Sequence, residues 1–326
     1  MQDHPFRRSR KTHSGNPGPL PTGKDPGSPR RGASAGDAVG DLESDPASQV
    51  DQCVARLQRS KGTGRISFKS IGNSHDSRTA IEDLEQSGCI RLRMPRPEPR
   101  VAPSAVIINT AGGLTDGDEI TLAATWAPGT MAAITSQAAE RVYRARAEPA
   151  RIETTLSVGA GATGLWLPQE TILYDGARLD RRLSVEMAAS STLSALEMTV
   201  FGRAASGETL RSGSFRDRWD IRVGGRLVFA ERVRLDGDIT GKLERLAIGG
   251  GAGAVATLVH VAPGAADRLA QLRAALTATN CDCGATAIGD TLVARLLGQQ
   301  PAAVRDSVAM ALTNGLGLEL PRSWTL

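Results

Sequence analysis

The sequence predicts a mainly β protein: stacked or solenoid-like β-sheets with internal strand repeats and two C-terminal α-helices. Three observations predict it. Short runs alternate apolar and polar residues, the period of a half-buried strand. Asp-Gly pairs recur between such runs at Asp116-Gly117, Asp175-Gly176 and Asp236-Gly237, spaced by 59 and 61 residues. Only from Ala265 onward do leucines fall at helical spacing.

Residues 1–50 are rich in Pro, Gly, Ser and Arg and nearly free of apolar side chains. Such a composition cannot offset the entropy of ordering, so a disordered tail is expected, followed by a single β domain over 64–326. Arg65-Ile66-Ser67-Phe68-Lys69-Ser70-Ile71 puts its apolar residues on one face of a strand. Thr79 to Gly88 reads as one or two helical turns ended by Gly88, and Cys89 to Met94 alternates again. Apolar strands precede each Asp-Gly pair, at Ala105–Asn109, Leu165–Tyr174 and Leu227–Leu235. Others follow, at Glu119–Trp126, Ala177–Met187 and Asp238–Leu246, and a third set covers Met131–Thr135, Thr192–Val200 and Ala254–Val261. Gly164 with Gly225, and Glu170 with Glu231, align at a shift of 61. Three copies of a strand–turn–strand–turn–strand unit account for this, and chance is the competing account. Leu269, Leu272 and Leu276 mark one late helix; Val304, Val308 and Leu312, after Pro301, mark the other.

The chain has 326 residues, 40% hydrophobic, which is enough for a substantial core, but only 3% aromatic. Its net charge is +4, yet residues 1–32 hold seven Lys/Arg against two Asp/Glu. The rest then carries 32 bases against 33 acids, a balance unlike that of a nucleic-acid binder. No apolar run is long enough to span a membrane, and the basic N-terminus has no apolar core for a secretory signal. Cys53, Cys89, Cys281 and Cys283 are too few for a disulfide framework, which points to a reducing cytoplasm.

Enzyme signatures fail one by one. Gly249 to Gly253 lacks the spacing of a dinucleotide loop and reads as a connection. Cys281-Asp282-Cys283 has no second pair to complete a zinc site. His260 lies in an apolar run and reads as a satisfied core or edge histidine, so a Ser-His-Asp triad has no support. What remains is polar side chains on otherwise apolar strands: Gln137, Glu140, Arg141 and Tyr143; Gln169, Glu170 and Asp175; Glu197, Arg203 and Glu208. Each alone suits a solvated β face. Together they suggest an internal polar path or binding surface, whose oxygen ligands suit a hydrated divalent ion in transit.

At these residues the chain resembles the urease accessory protein UreD (UreH) family. The resemblance runs through Asn109 to Asp118, Gln137 to Arg144, Trp166 to Gly176 and Val200 to Glu208, and takes in Arg218-Trp219 and Pro321 to Trp324. It departs at Ala111, where the family usually has Pro, and at Glu140, where many members have Lys or another residue. It implies a mostly β, helix-poor fold and no catalysis. It implies work with UreF and the GTPase UreG to load nickel into the urease apoprotein, with nickel passing through an internal tunnel. No cofactor is expected to be held tightly, only a transient nickel ion, with no nucleic acid and no membrane as partner. A β-solenoid hydrolase using a carboxylate pair is the alternative.

Overall fold

The computed structural model describes residues 59–72, 77–96, 102–203 and 207–324; the tail, Cys53 and His75 lie outside them. In chain order the strands are β1 (Lys61–Ile71), β2 (Arg78–Gly88), β3 (Ile90–Arg93), β4 (Ser104–Asn109), β5 (Glu119–Trp126) and β6 (Met131–Ser136). Then come β7 (Glu140–Val142), β8 (Ala150–Val158), β9 (Thr163–Leu167), β10 (Thr171–Leu173), β11 (Arg178–Met187) and β12 (Thr192–Phe201). After β13 (Ser214–Val223) and β14 (Arg226–Asp236), the short helix α1 (Ile239–Leu243) precedes β15 (Ala254–Val261). Helix α2 (Leu269–Thr277), strands β16 (Asp282–Ile288) and β17 (Thr291–Gly298), and helix α3 (Pro301–Met310) complete the set.

Two sheets face each other. One has seven strands in the order β14-β13-β11-β8-β5-β1-β2; the other runs β16-β17-β15-β12-β9-β6-β4-β3. The chain crosses between them at every turn, so neighbours within each sheet are largely parallel. Strands β1, β5, β8, β11 and β13 form one parallel series. Strands β4, β6, β9 and β12 form the other. The predicted solenoid-like stacking is therefore the observed fold. Its period is shorter than the Asp-Gly spacing: Ala133 sits beside Leu165, 32 residues on, and Leu165 beside Ser194, 29 on. The spacing of 59, from Asp116 to Asp175, thus spans two turns. Asp116 and Asp175 do similar work at their corners, each side chain accepting backbone N–H bonds from a later corner, Ala147 at 2.9 Å and Ser212 at 3.0 Å.

The third copy fails. Asp236 ends β14, which pairs antiparallel with β13 as a hairpin. Glu231 lies on that edge strand against Arg295, whereas Glu170 lies between β9 and β10, so their alignment is coincidental. Two local expectations also change. Thr79–Gly88 belongs to strand β2, because pairing with β1 along its length decides a segment that lacks a helical apolar stripe. Asp238–Leu246 contains α1, whose Asp238 side chain accepts from Gly241 N at 2.9 Å as an N-cap. The predicted strand Leu165–Tyr174 is split into β9 and β10. Pro168, lacking an N–H, stands in the gap.

Burial follows from this arrangement. Strand β8 alternates buried and exposed residues along its length, with one face in solvent. Strand β12 is buried at eight consecutive positions, because Leu196, Met198 and Val200 on its outer face join a cluster that also holds residues of α2, α3 and Trp324. One core therefore fills the space between the sheets, and a second lies between the outer face and the helices. Both late helices appear where their leucine and valine spacing placed them.

Candidate functional site

Strict alternation carries two charges into the inter-sheet core. On β11, Arg181 shares its face with buried Leu179 and Leu183; on β13, Asp217 shares its face with buried Phe215 and Trp219. Glu197 enters the same space from β12. The Arg181 guanidinium meets Asp217 with two bonds, Nε to Oδ1 at 3.0 Å and Nη2 to Oδ2 at 2.7 Å. Nη1 donates to Glu197 Oε2 at 2.5 Å and Thr171 Oγ1 at 3.2 Å, and Nη2 to Thr199 Oγ1 at 3.3 Å. All five guanidinium N–H groups thus have acceptors, which is what a buried cation requires. Trp166 Nε1 donates to Glu197 Oε1 at 3.0 Å, and Trp219 Nε1 to Asp217 Oδ2 at 3.3 Å. Two carboxylates face one cation. Burial, and the charge of Asp217, push the Glu197 carboxyl above its usual range despite Arg181.

The register extends this column toward the surface. Thr171 pairs with Thr199 on one side and with Glu140 on the other, so Glu140 continues the row of side chains that meets Arg181. A cavity of about 60 Å³ lies there, lined by Glu140, Trp166, Gln169, Thr171, Arg181 and Glu197 among others. At about 30 Å³ per water, that is room for roughly two waters. An outer pocket of about 160 Å³ adjoins it, with Asn109, Gln137, Glu140 and Arg141 in its wall. Ile107, Ser136 and Glu140 line both spaces, which makes Glu140 the ionisable group at the neck, beside the Ser136 hydroxyl. Asn109 Nδ2 donates to both its oxygens, at 3.1 and 3.2 Å. Burial drives this carboxyl up to about 7, against the opposing pull of Asn109 and Arg141. Gln137 and Arg141 are exposed at the mouth.

The Gln169-Glu170 pair is held from the C-terminal layer. Gln169 N donates to Ser136 Oγ at 2.8 Å, and its Nε2 donates to Ser323 O at 3.0 Å. Arg305 of α3 bonds Gln169 Oε1 and Glu170 Oε2, the latter at 2.9 Å, while its guanidinium lies 4.7 Å from the Trp324 ring centre. Trp324 Nε1 donates to Leu167 O at 3.0 Å. These contacts explain how an apolar run tolerates two polar side chains. Of the residues in this stretch, Ser136, Pro168 and Gln169 line the cavity itself.

The other candidates gather elsewhere. Tyr143 and Tyr174 meet edge to face at 4.9 Å, and Arg203 lies 4.6 Å over the Tyr174 ring while bonding Glu208 at 2.9 Å. Asp175 pairs with Arg144 at 2.6 Å. Burial would raise its pKa, but the Ser212 N–H and the Arg144 charge outweigh that and lower it. So Glu140, Gln169 and Glu197 share the cavity, Gln137 and Arg141 flank its mouth, and Glu170 serves the clamp. Tyr143, Asp175, Arg203 and Glu208 line none of the cavity. Sequence reasoning missed Arg181, Asp217, Asn109 and Arg305. The parity of Leu179, Leu183, Phe215 and Trp219 was the signal for the first two. His260 is buried, with Nδ1 2.8 Å from Ser194 Oγ, as a satisfied core histidine should be. Among the described residues no three His, Cys, Asp or Glu side chains group as a metal centre.

The family model described as UreD urease accessory protein matches residues 60–325. The chain is 44% identical over 272 residues to urease accessory protein UreD of Methylobacterium sp. (strain 4-46), covering 82% of this chain and 96% of that one. It is 41% identical over 283 residues to urease accessory protein UreD 3 of Bradyrhizobium sp. (strain BTAi1 / ATCC BAA-1182), covering 87% and 99%. UreD of Chelativorans sp. (strain BNC1) is 41% identical over 280 residues, covering 85% and 98%.

Proposed function

The chain belongs to the UreD urease accessory protein family, and from that premise we propose that it serves urease maturation without catalysis, as a scaffold and nickel conduit. In this role it works in the cytoplasm with UreF and UreG and delivers nickel to the urease apoprotein, holding the ion only in passage. The observation that carries the proposal is the pair of adjoining spaces joined at Glu140. Oxygens of Glu140 and Gln169 would meet an ion passing inward from the outer pocket, and Glu197, held by Arg181 and Trp166, stands at the inner end. Hard oxygen ligands suit a hydrated divalent ion that must leave again, whereas Cys and His would hold it. No helix among the described residues is long and apolar enough to cross a membrane.

The carboxylate-pair hydrolase is not favoured. Glu197 and Asp217 are both tied to Arg181 in the interior, while glycoside hydrolysis needs two free carboxyls flanking an accessible bond.

Glu140→Leu tests the conduit by replacing the polar neck with an apolar side chain of similar size. At limiting nickel, urease activation should fall about tenfold or more while circular dichroism and assembly with UreF and urease stay unchanged. A folded, assembled variant that activates urease normally would remove the conduit.

A further inference from the structure

Cys281 and Cys283 lie two residues apart where β16 begins, as the edge strand paired with β17. Odd positions of an extended strand face the same side, and both thiols pack against the helical core. Their sulfurs converge on one polar group. Thr279 Oγ1 lies 3.7 Å from Cys281 Sγ and 3.5 Å from Cys283 Sγ. That hydroxyl spends its proton on Leu276 O at 2.7 Å, so toward the thiols it acts as acceptor. Cys283 Sγ also reaches Leu276 O, at 3.4 Å. The two environments differ. Cys281 lines a groove of about 580 Å³ with Thr279, Asn280, Gln299 and Gln300, and Cys283 does not. Gly298 of β17 lies beside Cys281: a β-carbon there would stand at ordinary contact distance, 3.4 Å, from Cys281 Cβ.

We propose that Cys281 and Cys283 form a reversible dithiol–disulfide pair, a modification site for small-molecule disulfides of the glutathione class. Two steps of extended strand put the α-carbons about 6.4–6.8 Å apart, at the upper limit a disulfide spans. Cys281 precedes the first residue of β16, so the closing movement falls on the turn before the strand. A bond at that limit is easily reduced, the property of a regulatory rather than a structural disulfide. In the first step the Cys281 thiolate attacks one sulfur of glutathione disulfide, that S–S bond breaks, and one glutathione thiolate leaves and takes up the Cys281 proton. In the second, the Cys283 thiolate attacks the Cys281 sulfur and expels the other glutathione, which takes up the Cys283 proton. The protein loses two electrons and the small disulfide gains them.

The test equilibrates the full-length chain in glutathione buffers from reducing to oxidising, then alkylates free thiols and digests with trypsin. Residues 274–295, bounded by Arg273 and Arg295, carry both cysteines and no other. Under oxidising buffer this peptide should appear unlabelled and two hydrogens lighter, and dithiothreitol should restore both labels. Cys283→Ser should trap one glutathione on Cys281. Two labels at every ratio, or no adduct on Cys283→Ser, would each overturn the proposal.

Discussion

Arg181 was legible in the sequence but not read. It sits at the inward parity of β11, and a cation there demands anionic partners, which Asp217 and Glu197 supply. What the sequence could not give is which strands stack, and so which carboxylates meet it. Removing one partner from such a buried group costs about 3–5 kcal/mol, because the others are left without compensation. Glu140 makes the opposite case, a carboxyl whose two oxygens both accept from the Asn109 amide. Its folded pKa of about 7 stands above the ordinary 4.5. Between those values the folded chain keeps a proton that the unfolded chain has released, so stability is lost as pH rises from about 4.5 through about 7. The full shift corresponds to about 3 kcal/mol, which partial exposure reduces to about 2 kcal/mol. Glu140→Gln should lack this loss. Urea denaturation at pH 5 and pH 8 should show the variant gaining on the native chain by about that amount at the higher pH, and an identical pH dependence in both would contradict the assignment.

At the level of elements, the strands with strict alternation were the readable ones. Glu119–Trp126 was bounded correctly, and β8 carries the same pattern at Ala150, Ile152, Thr154, Leu156 and Val158, though it was overlooked. Strand β2 departs from the sequence expectation because its partner, not its composition, makes it a strand: it is an edge, half-exposed along its length, and Gly88 has the form of a helix stop. Gly88 has another duty. Its φ is +60°, and a β-carbon there would fall 1.7 Å from Lys61 O, so the tight crossing from β2 toward β3 admits no side chain. Gly88→Ala should therefore destabilise the protein by about 2 kcal/mol or more, through backbone strain and displacement of β1. A thermal melt unchanged within error would show that the crossing can relax. The residues between β9 and β10 were legible as unusual, since Pro-Gln-Glu interrupts an apolar run. Their partner Arg305, more than a hundred residues away, was not.

For the whole molecule, the Asp-Gly spacing and the strand periodicity together predict solenoid-like stacking, but with a repeat twice the observed length. Asp-Gly marks alternate corners rather than every corner. The C-terminal layer closes the design by covering the outer face of β12 and pinning Gln169 through Arg305, Ser323 and Trp324. Trp324→Ala removes a buried ring and its bond to Leu167, a loss of about 3–5 kcal/mol. Amide exchange at Gln169 should speed up along with the drop in melting temperature; a melt that falls without faster exchange there would mean that the clamp does not depend on Trp324. The strand orders hold one more consequence. Apart from the hairpin partners at the edges, each sheet lists its strands in the order in which translation makes them. A newly synthesised strand finds its template already laid down about one turn earlier, as a layer finds the face of a growing crystal. The chain can therefore assemble from its N-terminal strands outward while the ribosome is still extending it, each turn settling on the one beneath.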